Sequence, residues 1–253
     1  MKVLHFPMWE VETLLFPPEC IVCSEPGIEI CVRCRPPVQL RITTLDSALP
    51  PLLSGHGYDH ASGKILLQAK EANSRVAQIL LARSFAGLLA IADGVLQRQS
   101  YAVLGIPSTP HTIRRRGYLH LNRTLRFTQR MTPIAFQLLP VLRSSGGVRD
   151  QTELSAIERA ANVSGKFSAR LPEKLKPESG IILVDDVVST GSSMRESVRA
   201  LKMAGIEPDL LISAYLGRLG HSSPSNRMSH GSVSSNHRYQ ARGGLTVNRK
   251  RSA

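Results

Sequence analysis

Cysteine is scarce and confined in this chain of 253 residues: there are four, all between positions 20 and 34. Elsewhere the fold must be held by apolar burial, and 42% hydrophobic residues are enough for one substantial α/β core with a small appendage. The N-terminus lacks the unbroken apolar stretch of a secretory signal, because Pro7, Glu10, Glu12, Pro17 and Pro18 interrupt it. A cytoplasmic protein without a membrane partner is therefore expected. No long apolar run is free of charge either. The longest, Val76 to Leu96, carries Arg83 and Asp93 and repeats Val76, Leu80, Leu88, Leu89, Val95 and Leu96 at helical spacing, which predicts a core helix.

Acidic residues are missing from His221 to Ala253, where Arg227, Arg238, Arg242, Arg249, Lys250 and Arg251 carry nearly half of the formal charge of +13. This Ser-, Gly- and Asn-rich stretch is predicted to be disordered, with phosphate attraction its clearest use and a short strand at Gly243 to Val247 the one structured option. A nucleotide P-loop is also lacking. Five residues separate Gly57 from Gly63, and Ile65 follows Lys64 where a hydroxyl is needed. His56, Asp59 and His60 have no fourth partner and read as solvated loop.

What the chain does have begins with two knuckles, Cys20-x-x-Cys23 and Cys31-x-x-Cys34, seven residues apart. Each knuckle can bring two sulfurs to one tetrahedral ion, and a segment this short has little core of its own. Structural Zn²⁺ on Cys20, Cys23, Cys31 and Cys34 is the expectation. Two disulfides are the competing pairing, disfavoured in a reducing compartment. With four cysteines on the metal, no position is left for catalytic water.

A second concentration of chemistry runs from Ile181 to Ser193. Ile181, Ile182, Leu183 and Val184 read as a strand buried on both faces of a parallel sheet, which places Asp185 and Asp186 at its carboxyl end. Adjacent carboxylates can accept from vicinal hydroxyls and help hold Mg²⁺. The turn Ser189-Thr190-Gly191-Ser192-Ser193 offers amides, hydroxyls and the positive end of a following helix to a phosphate. An acidic strand end meeting an ordinary Ser/Thr helix cap is the bland alternative.

The remaining elements read as a strand in Val38 to Leu45, a loop from Leu49 to His60, and helices over Lys64 to Ala72 and Arg75 to Gln97, with a break near Asn73-Ser74. A strand at Tyr101 to Ile106 leads into Pro107-Ser108-Thr109-Pro110 and the cluster Arg114, Arg115, Arg116, which is either a second anion site or a solvated basic helix face. Polar residues Asp150, Gln151, Glu153, Glu158, Arg159 and Asn162 suggest a hood over the site, or a surface helix capped by Ser155. Met194 to Ala204 should be an amphipathic helix with Met194, Val198, Leu201 and Met203 toward the sheet, followed by a strand at Leu210 to Leu216.

The run Ile181 to Ser193 resembles the phosphoribosyl-diphosphate (PRPP) signature of type I phosphoribosyltransferases. Leu15-Phe16-Pro17-Pro18 before a four-cysteine module, Arg115-Arg116-Gly117-Tyr118 after a Pro turn, and Gln151-x-x-Leu154-Ser155-x-x-x-Arg159-x-x-Asn162-x-x-Gly165-x-Phe167 are similar to the ComF family over about Leu14 to Leu216. The family usually has Asn-Gln or Asp-His where this chain has Leu119-His120. The resemblance implies an α/β phosphoribosyltransferase-like parallel sheet flanked by helices (38–220), after an N-terminal segment with a zinc-ribbon-like module (1–37) and before a basic tail (221–253).

It also implies that Asp185 and Asp186 bind the ribose and act catalytically, and that Ser189, Thr190, Gly191, Ser192 and Ser193 hold the 5-phosphate. Pro107, Ser108, Arg115 and Arg116 would face the pyrophosphate. The implied activity is transfer of the phosphoribosyl group of Mg²⁺-PRPP to an unidentified base or amine, in a chain that can form a homodimer. The alternative is a PRPP-sensing or DNA-uptake (competence) accessory protein that binds nucleic acid or a helicase partner.

Overall fold

The computed structural model describes residues 17–145 and 163–217. The lead-in before Pro17, the polar segment from Asp150 to Asn162 and the basic tail lie outside the described residues. Strands β1 (Arg41–Thr43), β2 (Leu52–Gly57), β3 (Tyr101–Gly105), β4 (Phe136–Leu138), β7 (Gly180–Val188) and β8 (Leu210–Leu216) form one sheet, in the order β1-β2-β8-β7-β3-β4. All neighbours are parallel except β1 and β2. Strands β5 (Leu142–Ser144) and β6 (Phe167–Ala169) form a separate antiparallel pair. The helices are α1 (His60–Lys70), α2 (Arg75–Leu96), α3 (Pro110–Arg116), α4 (His120–Gln129) and α5 (Ser192–Met203).

Parallel strands need crossovers, and the crossovers cover both faces. On one face Leu53, Val103, Ile182, Val184 and Ile212 are buried with Ile65 of α1, Phe85 of α2 and Leu125 of α4. On the other, Leu52, Ala102, Leu104, Leu183 and Leu211 pack with Met194, Val198 and Leu201 of α5. This two-residue alternation explains why the central strands read as unbroken apolar runs. Met203 does not join the stripe. It lies about 200° around the helix from Leu201 at ~100° per residue, and it is 78% exposed.

The stretch Leu49 to His60 is not a loop. Leu52–Gly57 is β2, paired with β8 from Leu52↔Leu211 to Gly57↔Leu216, and this pairing outweighs the weak strand preference of its glycines. His56 lies on that strand, its ring nitrogens 2.8 Å from the Pro37 carbonyl and 2.9 Å from Ser84 Oγ. Asp59 caps α1 by accepting from the Ser62 N–H at 2.8 Å, so the helix starts at His60 rather than Lys64. The solvated-loop reading therefore fails for His56, while Asp59 is exposed outside the regular elements and serves as a helix cap.

The break before α2 is where the sequence puts it, with Asn73 at φ 55° and Ser74 as N-cap. Helix α2 is long and apolar enough to cross a membrane by length and composition, and it buries Leu81, Phe85, Leu88 and Leu89 in the core. The cysteine segment packs on the same core. Cys20, Val22 and Ile30 are buried with Ile65 and Leu66, and Lys64 Nζ donates to the Val22 carbonyl at 2.8 Å.

Gly180 marks a close approach at the start of β7. A β-carbon there would lie 2.8 Å from two ring carbons of Tyr101 and 2.9 Å from Arg98 Cγ. The ring cannot retreat freely, because its hydroxyl donates to Asp93 at 2.7 Å and accepts from the Arg98 N–H at 3.1 Å. Gly180→Ala should lower the unfolding free energy by about 1–3 kcal/mol in urea titration.

Candidate active site and metal centre

From β3 the chain crosses to β4, and from β7 it crosses the other way to β8, so the sheet has a topological switch point between β3 and β7. A crevice must open there at the carboxyl ends of the strands. The structure has a cavity of about 220 Å³ at this point. Its walls include Pro107 and Ser108 after β3, Asp185 and Asp186 of β7, and all of Ser189 to Ser193.

Sequence reading ends the strand at Val184, but β7 continues to Val188 because β8 keeps pairing with it, Asp185 against Ser213 and Val187 against Tyr215. Strand β3 stops earlier, at Gly105↔Val184. The two aspartates therefore border the crevice while still fixed in a strand. Asp186 is 6% exposed, and Asp185 is half-buried.

The hydroxyl turn is built for close approach. Gly191 has φ 76° at the start of α5, and a β-carbon there would meet Arg195 Nη1 at 3.0 Å and Leu45 Cδ2 at 3.2 Å. Gly191, the N-cap, has no side chain to cap α5, and of the first amides Ser192 N–H donates to Thr190 Oγ1 at a long 3.4 Å. Thr190 Oγ1 and Ser192 Oγ are 2.9 Å apart. Arg195 braces the turn from behind, donating to the carbonyls of Thr190 and Leu45, each at 2.7 Å.

Sequence reasoning missed the groups that hold Asp186. Lys70, at the end of α1, places Nζ 2.8 Å from Asp186 Oδ1, and His120, at the start of α4, places Nε2 3.1 Å from Oδ2. The His120 contact is a close approach without the alignment of a hydrogen bond, since Nε2 has no hydrogen-bond partner. Gln78 sets the imidazole. Its Nε2 donates to the Ala69 carbonyl at 2.9 Å and lies 3.3 Å from His120 Nδ1, while its Oε1 accepts from Thr124 at 2.7 Å. This network assigns the Nδ1 lone pair to Gln78 and turns the Nε2 proton toward Asp186.

The basic cluster divides. Arg116 lines the cavity, whereas Arg115 is not among the lining residues, which corrects the pairing expected at the pyrophosphate end. Both reach Glu71 Oε1, with Arg115 Nη2 at 3.0 Å and Arg116 Nη2 at 2.7 Å. The short helix α3 sets their directions, and Glu71, just past α1, draws both toward the same carboxylate. The Tyr118 hydroxyl is 2.7 Å from the Ala69 carbonyl and 2.9 Å from that of Lys70, fastening this turn to the end of α1.

No family model matches the chain, and no curated protein sequence matches it. Solved structures similar to it are phosphoribosyltransferases. Adenine phosphoribosyltransferase of Saccharomyces cerevisiae is 11% identical, with 70% of this chain and 83% of that one covered and a TM-score of 0.34. The Giardia lamblia enzyme with 9-deazaadenine is 14% identical over 70% and 93% of the two chains, with a TM-score of 0.33. The Pyrococcus horikoshii purine phosphoribosyltransferase is 13% identical over 58% and 93%, with a TM-score of 0.27. The chemistry of the crevice rests on its own residues.

The ligand atoms of Cys20, Cys23, Cys31 and Cys34 all lie within 4.8 Å of one another, and Cys23 Sγ is 3.7 Å from Cys31 Sγ. All four are free thiols, so the paired-disulfide alternative is not realised. Metal–sulfur bonds of ~2.3 Å give tetrahedral sulfur–sulfur edges of about 3.8 Å, and the donor set can hold a metal ion. Burial pushes the Cys20 thiol up, but the N–H groups of Cys31, Cys23 and Val22 outweigh it and bring it to about 6. Burial and hydrogen bonds to the other three cysteines push Cys34 up to about 12. Four thiols this close do not all ionise without a cation among them.

The two aspartates also split. Burial and the Asp186 charge push the Asp185 carboxyl up to about 8. Burial works upward on Asp186 too, but Lys70 and His120 hold that carboxyl below its usual range. For Asp185 the folded chain keeps a proton that the unfolded chain loses near pH 3.8, so its stabilising contribution is lost as pH rises toward about 8. Urea denaturation across that window should show stability of the ligand-free protein falling with pH, and Asp185→Asn should flatten the slope.

Proposed function

We propose that this chain binds PRPP in the crevice and transfers its phosphoribosyl group to a base or amine, releasing pyrophosphate. One observation carries the reading: an acidic pair and a donor-rich turn face a single cavity at the switch point of a parallel sheet. Amides and hydroxyls of Ser189 to Ser193 would take the 5-phosphate, and Asp185 and Asp186 the vicinal ribose hydroxyls. Pro107, Ser108 and Arg116 would face the pyrophosphate, with Arg115 acting behind Arg116 through their shared Glu71.

Bond cleavage at the anomeric carbon develops positive charge on the ribose, as in glycoside chemistry. Fixed carboxylates next to that carbon stabilise the charge, and cations at the other side stabilise the leaving diphosphate. No side chain is required to form a covalent intermediate. The order of cysteine module, basic turn and phosphate loop supports a ComF-like cytoplasmic protein in which the cysteine module is structural.

PRPP with Mg²⁺ should raise the melting temperature, as binding to the native state alone must. The double variant Asp185→Asn, Asp186→Asn should abolish the rise in differential scanning fluorimetry, and a flat response of the wild type at millimolar PRPP rejects the ligand.

We further infer that the metal on the four cysteines is zinc, because an all-thiolate tetrahedral set suits it and leaves no open position. Elemental analysis of the purified protein should find about one zinc per chain, and Cys31→Ser should lower both occupancy and melting temperature. Absence of metal from the wild type would overturn this assignment.

A further inference from the structure

A divalent cation on an acidic pair needs carboxylate oxygens that no other cation occupies, and both oxygens of Asp186 already face side-chain nitrogens. Lys70 Nζ stands 2.8 Å from Oδ1 and His120 Nε2 3.1 Å from Oδ2. One oxygen of Asp185 is engaged as well, since Oδ1 accepts the Asp186 N–H at 2.9 Å. Mg²⁺ coordinated directly by Asp186 would therefore stand against the Lys70 ammonium while these contacts hold.

The contacts are supported from outside the cavity. The carbonyls of Ala69 and Lys70 are tied to the Tyr118 hydroxyl, and the Ala69 carbonyl also receives Gln78 Nε2, the atom that faces His120 Nδ1. One buried network thus positions both groups that hold Asp186. The Lys70 side chain nevertheless stays 24% exposed and lines the cavity beside Arg116. An ammonium carries three donors on a flexible stem, so Lys70 can keep Asp186 Oδ1 and offer a further N–H to an entering phosphate oxygen. Mg²⁺ demands near-octahedral oxygen ligands, and reaching Asp186 would require it to displace Lys70 and leave that ammonium unpaired in a largely buried place.

We propose that Lys70, with His120 holding the other oxygen of Asp186, does the charge neutralisation of a divalent cation at the acidic pair, so that PRPP binds without metal on the aspartates. His120 is a positioning residue in this scheme: it keeps Asp186 oriented while Lys70 is shared with the diphosphate. The proposal rests on the PRPP reading above and deepens it.

Isothermal titration of the full-length protein with PRPP, in EDTA and in MgCl₂, tests it. The wild type should bind with dissociation constants within about threefold of each other in the two buffers. Lys70→Met should weaken binding in EDTA by about tenfold or more with much of the loss recovered in MgCl₂, and Lys70→Arg should keep the metal-independent affinity. Melting curves of the ligand-free variants check folding, and Lys70→Gln replaces Lys70→Met if the latter does not fold. Wild-type binding that strengthens more than about tenfold on adding MgCl₂ overturns the proposal and leaves the PRPP reading intact. No binding in either buffer removes both.

Discussion

A carboxylate 94% removed from solvent inside a nine-residue strand must be compensated, and the rest of the site is arranged around that need at Asp186. The compensation comes from far away in sequence. Lys70 reaches it across 116 residues, at the end of a helix that Asp59 starts and Tyr118 fastens, and His120 reaches it from the first position of another helix. Removing either partner would leave a charge or a polar atom unpaired among apolar neighbours. Two crossovers of the fold thus meet at one carboxylate, and the cavity beside it has a fixed wall before any ligand arrives.

The cysteine segment depends on the same helix from the other side. Ile65 and Leu66 of α1 bury Cys20, Val22 and Ile30, while Lys70 at its far end serves the cavity. The four thiols thus have a hydrophobic footing, which so short a stretch needs beside any metal it can hold. The module's place on the core suits a structural part better than a free-standing arm.

Much of this was legible in the sequence where the signal is local. The β7 run, the turn at Gly191 into α5, the α2 boundary at Asn73-Ser74 and the strand at Leu210 to Leu216 carry their own periodicity or turn chemistry, and the structure places them there. Strand β2 was not legible, because Pro51 before it and Gly55 and Gly57 within it are turn residues, and pairing with its neighbours makes Leu52–Gly57 a strand. The meeting of Lys70 and His120 at Asp186 was invisible for a related reason. A lysine near a helix end and a histidine after a leucine mean nothing until the crossovers bring them to the same carboxylate, and no spacing rule spans that distance. Arg115 and Arg116 show the limit from the opposite direction: adjacent in sequence, they point to one glutamate, but only Arg116 continues to the cavity wall.

Arg195 gives the turn a quality that its composition alone does not. A backbone loop carries as many carbonyl lone pairs as amide protons, and each lone pair facing inward repels an anion. At Thr190 that lone pair is already occupied by a guanidinium anchored to the carbonyl of Leu45, on the segment leading into β2. The hollow is therefore biased toward donors by what has been turned away from it, and the bias belongs to the resting protein rather than being induced by its guest.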